Sequence, residues 1–316
     1  MRALVFVCVA AGVLSGGYWL GAAYLLPGFV NGQIARQPDM EGYAQQVTGF
    51  PFRFEMALDT PAWRSPVSGL AWRSARVTAE IPSFLPNHLR LDFPAPQYLT
   101  LAGQDLRLDS TRFVADMALG LDLAVSEAGA HIAEGQLVPA FGVQALEAVD
   151  LRVTAQEGGR YALALDGREI QLAPALVESF GPAAGVSDRI SALRLDAILS
   201  FDGPLALVAP VPLMRQIDIE GMRLVWGEMQ FGLAGQVRRG ELGELDGDLT
   251  LFARNWEPIL RALVLSGVIA PDIGGFVGMF LAGAADPATG EVTLPVLLRS
   301  SVLSLGPFAL LELPRL

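Results

Sequence analysis

The sequence predicts a mainly β protein with some α: long antiparallel strands, a few packed helices and one N-terminal transmembrane helix. Three observations predict it. Gly49–Asp59, "GFPFRFEMALD", alternates with period two, Phe50, Phe52, Phe54, Met56 and Leu58 against mostly polar neighbours, the pattern of a strand with one apolar face. Similar stretches recur along the chain, separated by Gly, Pro and Asp-Gly turn signals. The N-terminus is a long apolar run without a charge between Arg2 and Arg36.

That run, Ala3–Leu26, is long enough at ~1.5 Å per residue to cross a ~30 Å hydrocarbon core. Tyr18, Trp19 and Tyr24 fall in its second half, where interfacial aromatics are expected, and Pro27-Gly28 ends it. Residues 1–30 are therefore read as an anchor, with Arg2 keeping the N-terminus cytoplasmic. A cleaved signal peptide is the competing reading, with "GAA" before Tyr24 as processing site. The run continues through "YLLPGF" past that site, which favours the uncleaved anchor. Either way the bulk of the chain is exported, so the expected localisation is the inner membrane, single-pass, with the bulk periplasmic.

Residues 31–48 are polar and read as a partly helical stalk. Residues 49–316 read as one β-rich domain. After Gly49–Asp59 its strands are expected in "PVSGLAWRSARVTAEIP", "NHLRLDFPAPQYLTLAG", "QDLRLDSTRFVADMAL", "LDLAVSEAGAHIAEGQLV", "EAVDLRVTAQEG", "GRYALALDGREIQL", "ISALRLDAILSFDG", "IEGMRLVWGEMQFGLAGQV" and "GDLTLFA". Asp166-Gly167 and Asp246-Gly247 are expected as tight hairpins. A short helix is expected over Ala173–Gly181, and a helix pair over 255–285. Asn255 would cap the pair, Pro258 lies in its first turn, and Pro271 splits it. The ending "VTLPVLLRSSVLSLGPFALLELPRL" reads as a strand pair closing on a Gly-Pro turn.

A small phrase recurs, an apolar residue, Arg, then another apolar residue: Leu106-Arg107-Leu108, Leu151-Arg152-Val153, Leu193-Arg194-Leu195, Met222-Arg223-Leu224. Its spacing is too irregular for a solenoid. It fits long hairpins with apolar residues on one side and charge on the other.

Composition excludes several function classes. Hydrophobic residues make up 52% of 316, and the net charge is −11; mean hydropathy is +0.42. That balance opposes nucleic-acid binding. All basic residues are Arg, so no Lys-bearing phosphate loop exists. The lone Cys8 lies in the apolar run, so neither a disulfide framework within the chain nor a cysteine-based metal site can form. His88 and His131 are too few and too far apart in sequence for a His-rich metal site. No Gly-x-Ser-x-Gly elbow is present. The acidic pairs Glu241/Glu244 and Asp246/Asp248 fall in turn-rich sequence. No enzyme, cofactor or metal is expected.

"GFPFRFEMAL", "PNHLRLDFPAPQYLTLAG", "FDGPLAL", "MRLVWGEMQFGLAG", "LTLFARNWEPIL" and the closing "LSLGPFALLELPRL" together resemble the family called domain of unknown function 2125, over most of residues 40–316. The resemblance implies an alphaproteobacterial, membrane-anchored periplasmic protein and carries no catalytic residue. By analogy its design is similar to the AsmA-like group, in which a long curved antiparallel sheet forms an apolar groove for lipid. Two readings follow. In the first, the sheet binds or transfers membrane lipid against Phe50, Phe52, Phe54, Trp72, Phe93 and Trp226. In the second, the 255–285 helices close the core, and the protein is an envelope scaffold that meets other envelope proteins. Phe50, Phe52 and Phe54 are expected inward, Arg53 and Glu55 outward, and part of the apolar sheet face is expected to stay unsealed.

Overall fold

The computed structural model describes residues 18–316 except 33, 37–38, 66–68, 102, 182–184, 207–211, 268, 306–307 and 313–316. The chain is mainly β, and the strand pairings described below are antiparallel. The described residues fall into two compact units. Unit 1 belongs to Met1–Gly120 and Ala130–Pro139, unit 2 to Leu121–Gly129 and Ala140–Leu316.

Most of the expected span Ala3–Leu26 lies outside the described residues. Its last part belongs to helix α1 (residues 18–32). Among the described residues no helix is long and apolar enough to cross a membrane. The expected stalk is built into unit 1 instead. Strand β1 (Met40–Ala44) pairs with β2 (Arg53–Arg64). The Asn31 amide fixes α1 to β1: its Oδ1 accepts from Ala44 N at 2.8 Å and its Nδ2 donates to Ala44 O at 3.3 Å.

The long strand β2 carries two partners on its other edge, β4 (Arg76–Pro82) along Arg53–Asp59 and β3 (Ala71–Ser74) along Ala62–Arg64. From β4 the pairing continues to β5 (His88–Asp92) and β8 (Arg112–Leu119). From β3 it continues to β6 (Gln97–Leu101), β7 (Gln104–Asp109) and β9 (Val125–Phe141). Phe54, Val77, Leu106, Leu108 and Val114 are buried.

The expected inward triplet Phe50/Phe52/Phe54 divides. Phe54 is 3% exposed, stacked on Trp19 of α1 with ring centroids 5.6 Å apart. Phe50 and Phe52 are 59% and 75% exposed. The strand starts only at Arg53, so period two does not govern the two residues that lie in the turn before it.

From β10 onward the described residues of unit 2 form a meander of nine strands in sequence order: β10 (Val143–Ala155), β11 (Arg160–Leu172), β12 (Arg189–Phe201), β13 (Met214–Trp226), β14 (Met229–Arg239), β15 (Leu245–Arg254), β16 (Val292–Arg299), β17 (Val302–Leu305) and β18 (Phe308–Glu312). Helix α2 (Pro174–Ser179) follows β11; α3 (Glu257–Leu265) and α4 (Pro271–Ala284) follow β15. Asn255 is not the cap of α3. Trp256 holds that position without a side-chain cap, while Asn255, at φ 51°, donates Nδ2 to Glu228 O at 2.9 Å.

Both Asp-Gly pairs lie inside strands rather than in turns. Gly167 pairs with Val149 and Leu193, and Gly247 with Val237 and Leu298. A hairpin turn of the primed type needs positive φ at its central residues, and none of these four residues has it. The actual turns use Gly158 and Gly159 (φ 74° and 73°), Gly227 (φ 59°), Gly243 (φ 84°) and the pair Ser300-Ser301 (φ 48° and 69°). The chain end forms three strands, β16 to β18; the expected Gly306-Pro307 turn lies outside the described residues.

Gly235 is held at φ 133°, and a Cβ there would run into the Asp248 carbonyl oxygen. Gly235→Ala is therefore expected to lose about 2 kcal/mol or more, read as a lower denaturation midpoint. Replacing buried Phe54 by Ala should cost about 3–5 kcal/mol. Phe52→Asp at its exposed turn should stay within about 0.5 kcal/mol of the parent in the same melt.

Candidate functional site

Cross-strand neighbours in a sheet point to the same face. Following the register across unit 2 gives a row Leu151, Leu165, Leu195, Met222, Leu233, Leu251, Leu294, one residue from each of β10 to β16. Two residues along on one side runs Val149, Gly167, Leu193, Leu224, Phe231, Ala253, Val292; on the other, Val153, Leu163, Ala197, Ile219, Gly235, Leu249, Val296. Seven strands thus present three consecutive rows without a polar side chain. The intervening row, on the opposite face, reads Asp150, Asp166, Arg194, Arg223, Gly232, Phe252, Thr293. There Arg194 bridges to Asp166 at 3.1 Å, and further along Arg299 to Asp248 at 2.6 Å.

The apolar face is covered unevenly. Toward β15 and β16 it is closed: Leu249, Ala253, Val292, Leu294 and Val296 are buried with Val277 and Leu281 of α4 and with Trp256. Close approach of α3 and α4 depends on Gly274, where a Cβ would collide with Val264. At the strand ends near Trp226 a second cluster joins Trp226, Met229 and Leu172 to Leu176, Val177 and Phe180 around α2. Between these covers Leu151, Val153, Leu163, Leu165, Leu193, Leu195, Met222 and Leu224 are half-buried and belong to neither cluster. They span β10 to β13, about 14 Å across four strands at ~4.8 Å spacing.

Other chemistry is sparse. Among the described residues no three His, Cys, Asp or Glu side chains gather as a metal-holding group. His88 is exposed at the start of β5, and His131 lies half-buried in β9. Unit 1 has a cleft of about 550 Å³ beside β1, β2, β3 and β6, lined by Trp63 and Trp72 together with Asp39, Glu41, Arg64, Arg73 and Asp105. Charges of both signs make it unsuited to an acyl chain. The turn leaving α4 is held by Asp286, whose carboxyl lies below its usual range because Ala288 N and Thr289 N donate to it at 2.7 and 3.0 Å.

The family described as "Uncharacterized protein conserved in bacteria (DUF2125)" matches residues 29–314. The chain belongs to this family. The matched span of this DUF2125 protein begins within α1 and ends beyond β18, so every strand named above falls inside it. No curated protein and no solved structure matches the chain.

The six residues expected to line a lipid groove do not meet in one place. Phe50 and Phe54 contact Trp19 of α1, and Phe52 is exposed in the turn between them. Trp72 meets Phe93, which stacks on Phe113 at 4.5 Å; the Trp72 Nε1 donates to buried Gln97 at 3.0 Å. Trp226 is buried at the covered end of the unit 2 face, its Nε1 donating to Ser187 O at 2.6 Å. Aromatic size drew attention to these positions. The part of the face outside both clusters is made of aliphatic residues, and the signal for it was the recurring phrase. Three of its four copies, at Arg152, Arg194 and Arg223, contribute Leu151, Leu195 and Met222 to a single row.

Asp166 pairs across the polar face with Arg194, so Asp166→Asn should leave the apolar face intact and shift the thermal midpoint little, since an exposed ion pair contributes about 0–1 kcal/mol. A loss comparable to a core truncation would contradict that placement.

Proposed function

We propose that this DUF2125 protein is a membrane-anchored envelope protein whose unit 2 holds the acyl part of a membrane lipid on the open apolar face of β10 to β13. The observation that carries the reading is the half-buried set around Leu151, Leu165, Leu195 and Met222, apolar without interruption and outside both helix-covered clusters. A contiguous apolar face that is only half-buried in this way is a candidate binding surface. The register supports it, because one polar side chain in any of the three rows would interrupt the face, and none occurs. The charge-free run between Arg2 and Arg36 supplies the membrane tether, with the units displayed on the periplasmic side of the inner membrane. The arrangement is AsmA-like in design.

The scaffold reading draws on the opposite part of the same face, where α4 fully closes β15 and β16. The two separate by what the protein carries. Full-length protein extracted in mild detergent without denaturation is expected to bring lipid with it, detected by mass spectrometry, and to bind a fluorescent fatty acid. Leu165→Gln with Leu195→Gln should abolish both while the circular dichroism stays β-rich. Wild-type protein free of lipid and blind to the probe would leave the scaffold.

A further inference from the structure

Unit 1 has an apolar surface of a different kind, made by turns. Phe52 and Phe84 are 75% and 74% exposed, and Phe50 and Leu85 are exposed beside them. The turns that carry them adjoin. Arg53 pairs with Pro82, and Ser83 N donates to Phe52 O at 2.9 Å, so the turn before β2 and the β4–β5 turn form one end of the sheet. Further hydrogen bonds, from Leu85 N to Pro82 O and from His88 N to Leu85 O, fix the second turn. The nearest charged side chains on β2, Arg53 and Glu55, pair with each other at 3.1 Å.

Helix α1 arrives at this same end. Trp19 is buried, stacks on Phe54, meets Phe50 edge-on at 5.2 Å and donates its Nε1 to Arg53 O at 2.9 Å. Tyr18 also meets Phe54 edge-on, at 5.8 Å. The residues that precede Tyr18 back to Ala3 carry no charge. Trp19 fixes the described start of α1 against the sheet end that bears Phe50 and Phe52. Leu20, Tyr24, Leu25 and Phe29 of α1 are themselves exposed.

We propose that unit 1 docks onto the lipid bilayer through Phe50, Phe52, Phe84 and Leu85, set at the headgroup–acyl boundary beside the Tyr18–Trp19 start of α1. This rests on the membrane tether of the reading above and not on the bound acyl chain. Aromatic side chains on turns suit that depth, where an amphipathic or apolar surface is buried ~5–10 Å into the boundary. The consequence is an orientation for unit 1: the Phe52 end of β2 on the membrane, and the Arg64 end, a 12-residue strand away, roughly 36 Å from it.

The test uses the full chain with Cys8→Ser and one new cysteine at a time: Phe52→Cys, Phe84→Cys, and Gln104→Cys as control. Gln104 is exposed on the β6–β7 hairpin, which lies at the Arg64 end. Each is labelled with an environment-sensitive fluorophore and reconstituted into phosphatidylcholine–phosphatidylglycerol vesicles containing nitroxide lipids. Labels at 52 and 84 are expected to shift to the blue and to be quenched most by nitroxide near the headgroups; the label at 104 should do neither. Vesicle-bound protein with all three labels unquenched would overturn the docking and leave the tether. Protein that fails to enter vesicles would overturn tether and docking together. Concentration-dependent self-quenching at 52 and 84 without lipid would assign the patch to a second copy and overturn the proposal. None of these outcomes depends on whether unit 2 carries lipid.

Discussion

The structure of unit 2 depends on keeping one register across seven strands. Because side chains alternate strictly, a one-residue slip between any two strands would move a leucine row onto the face that holds Asp166, Arg194 and Arg223. That slip is costly on both sides: it exposes the apolar row and forces charges against the helices. Strand β13 shows how the register survives an extra residue. Its apolar residues are odd-numbered at Ile217 and Ile219 and even-numbered at Met222 and Leu224. The pairing shifts at this point against both β12 and β14. One added residue around Glu220-Gly221 is left out of the ladder, and the strand resumes with its apolar side still on the same face. Gly235, opposite Ile219, takes up the distortion with a φ that side chains rarely adopt.

The helices decide where that face becomes a core. Helix α4 carries apolar residues on every side; Val277 and Leu281 meet the sheet while Phe276, Met279 and Phe280 are exposed. With α3 it seals β15 and β16. Six-residue α2 can place only Leu176 and Val177, with the following Phe180, over the Trp226 end. The helices named here therefore cover the two margins, and the residues between them belong to neither buried cluster. On the opposite face arginine and aspartate meet in exposed ion pairs, Arg194 with Asp166 and Arg299 with Asp248. Such pairs stabilise weakly, yet they make the choice of face unambiguous, which the apolar residues alone would not do.

Much of this was legible in the sequence because it is local. Period-two stretches located nearly every strand, Pro258 and Pro271 located the helix pair, and "APALVESFG" located α2. The errors arose where a local pattern has two physical meanings. Asp-Gly marks a turn when both residues take positive φ, but in β15 the glycine instead lets strands approach, a Cβ on Gly247 pressing on Gln236 O at 2.5 Å, and in β11 Gly167 leaves room for the Ile170 side chain. The alternation at Phe50 and Phe52 continued past the true strand end, since nothing within five residues tells a turn-borne phenylalanine from a strand-borne one. The stalk hid β1 because its pairing partner lies across an intervening segment. The open face itself was encoded in the Leu-Arg-Leu phrase, but which leucines share a row is a property of pairing between strands.

The two apolar surfaces differ in what holds them in place. Leu151, Leu165 and Leu195 are half-buried by the pleat around them, so each still contributes to folding through its sheet neighbours, and an empty face loses only part of their burial. Phe52 and Phe84 gain little from the fold, being mostly exposed on turns whose backbone bonds would form with any side chain. Burial of a phenylalanine is worth about 1.5–3 kcal/mol relative to exposure, and that gain is largely unrealised at these two positions within the chain. A leucine row needs no external occupant to explain why it exists, only to explain why it is left open. A pair of turn phenylalanines beside a buried tryptophan owes little to the fold, and the bilayer docking proposed above gives it a role. The membrane at unit 1 and the acyl chain at unit 2 are accordingly separate questions, posed by separate physical features of one chain.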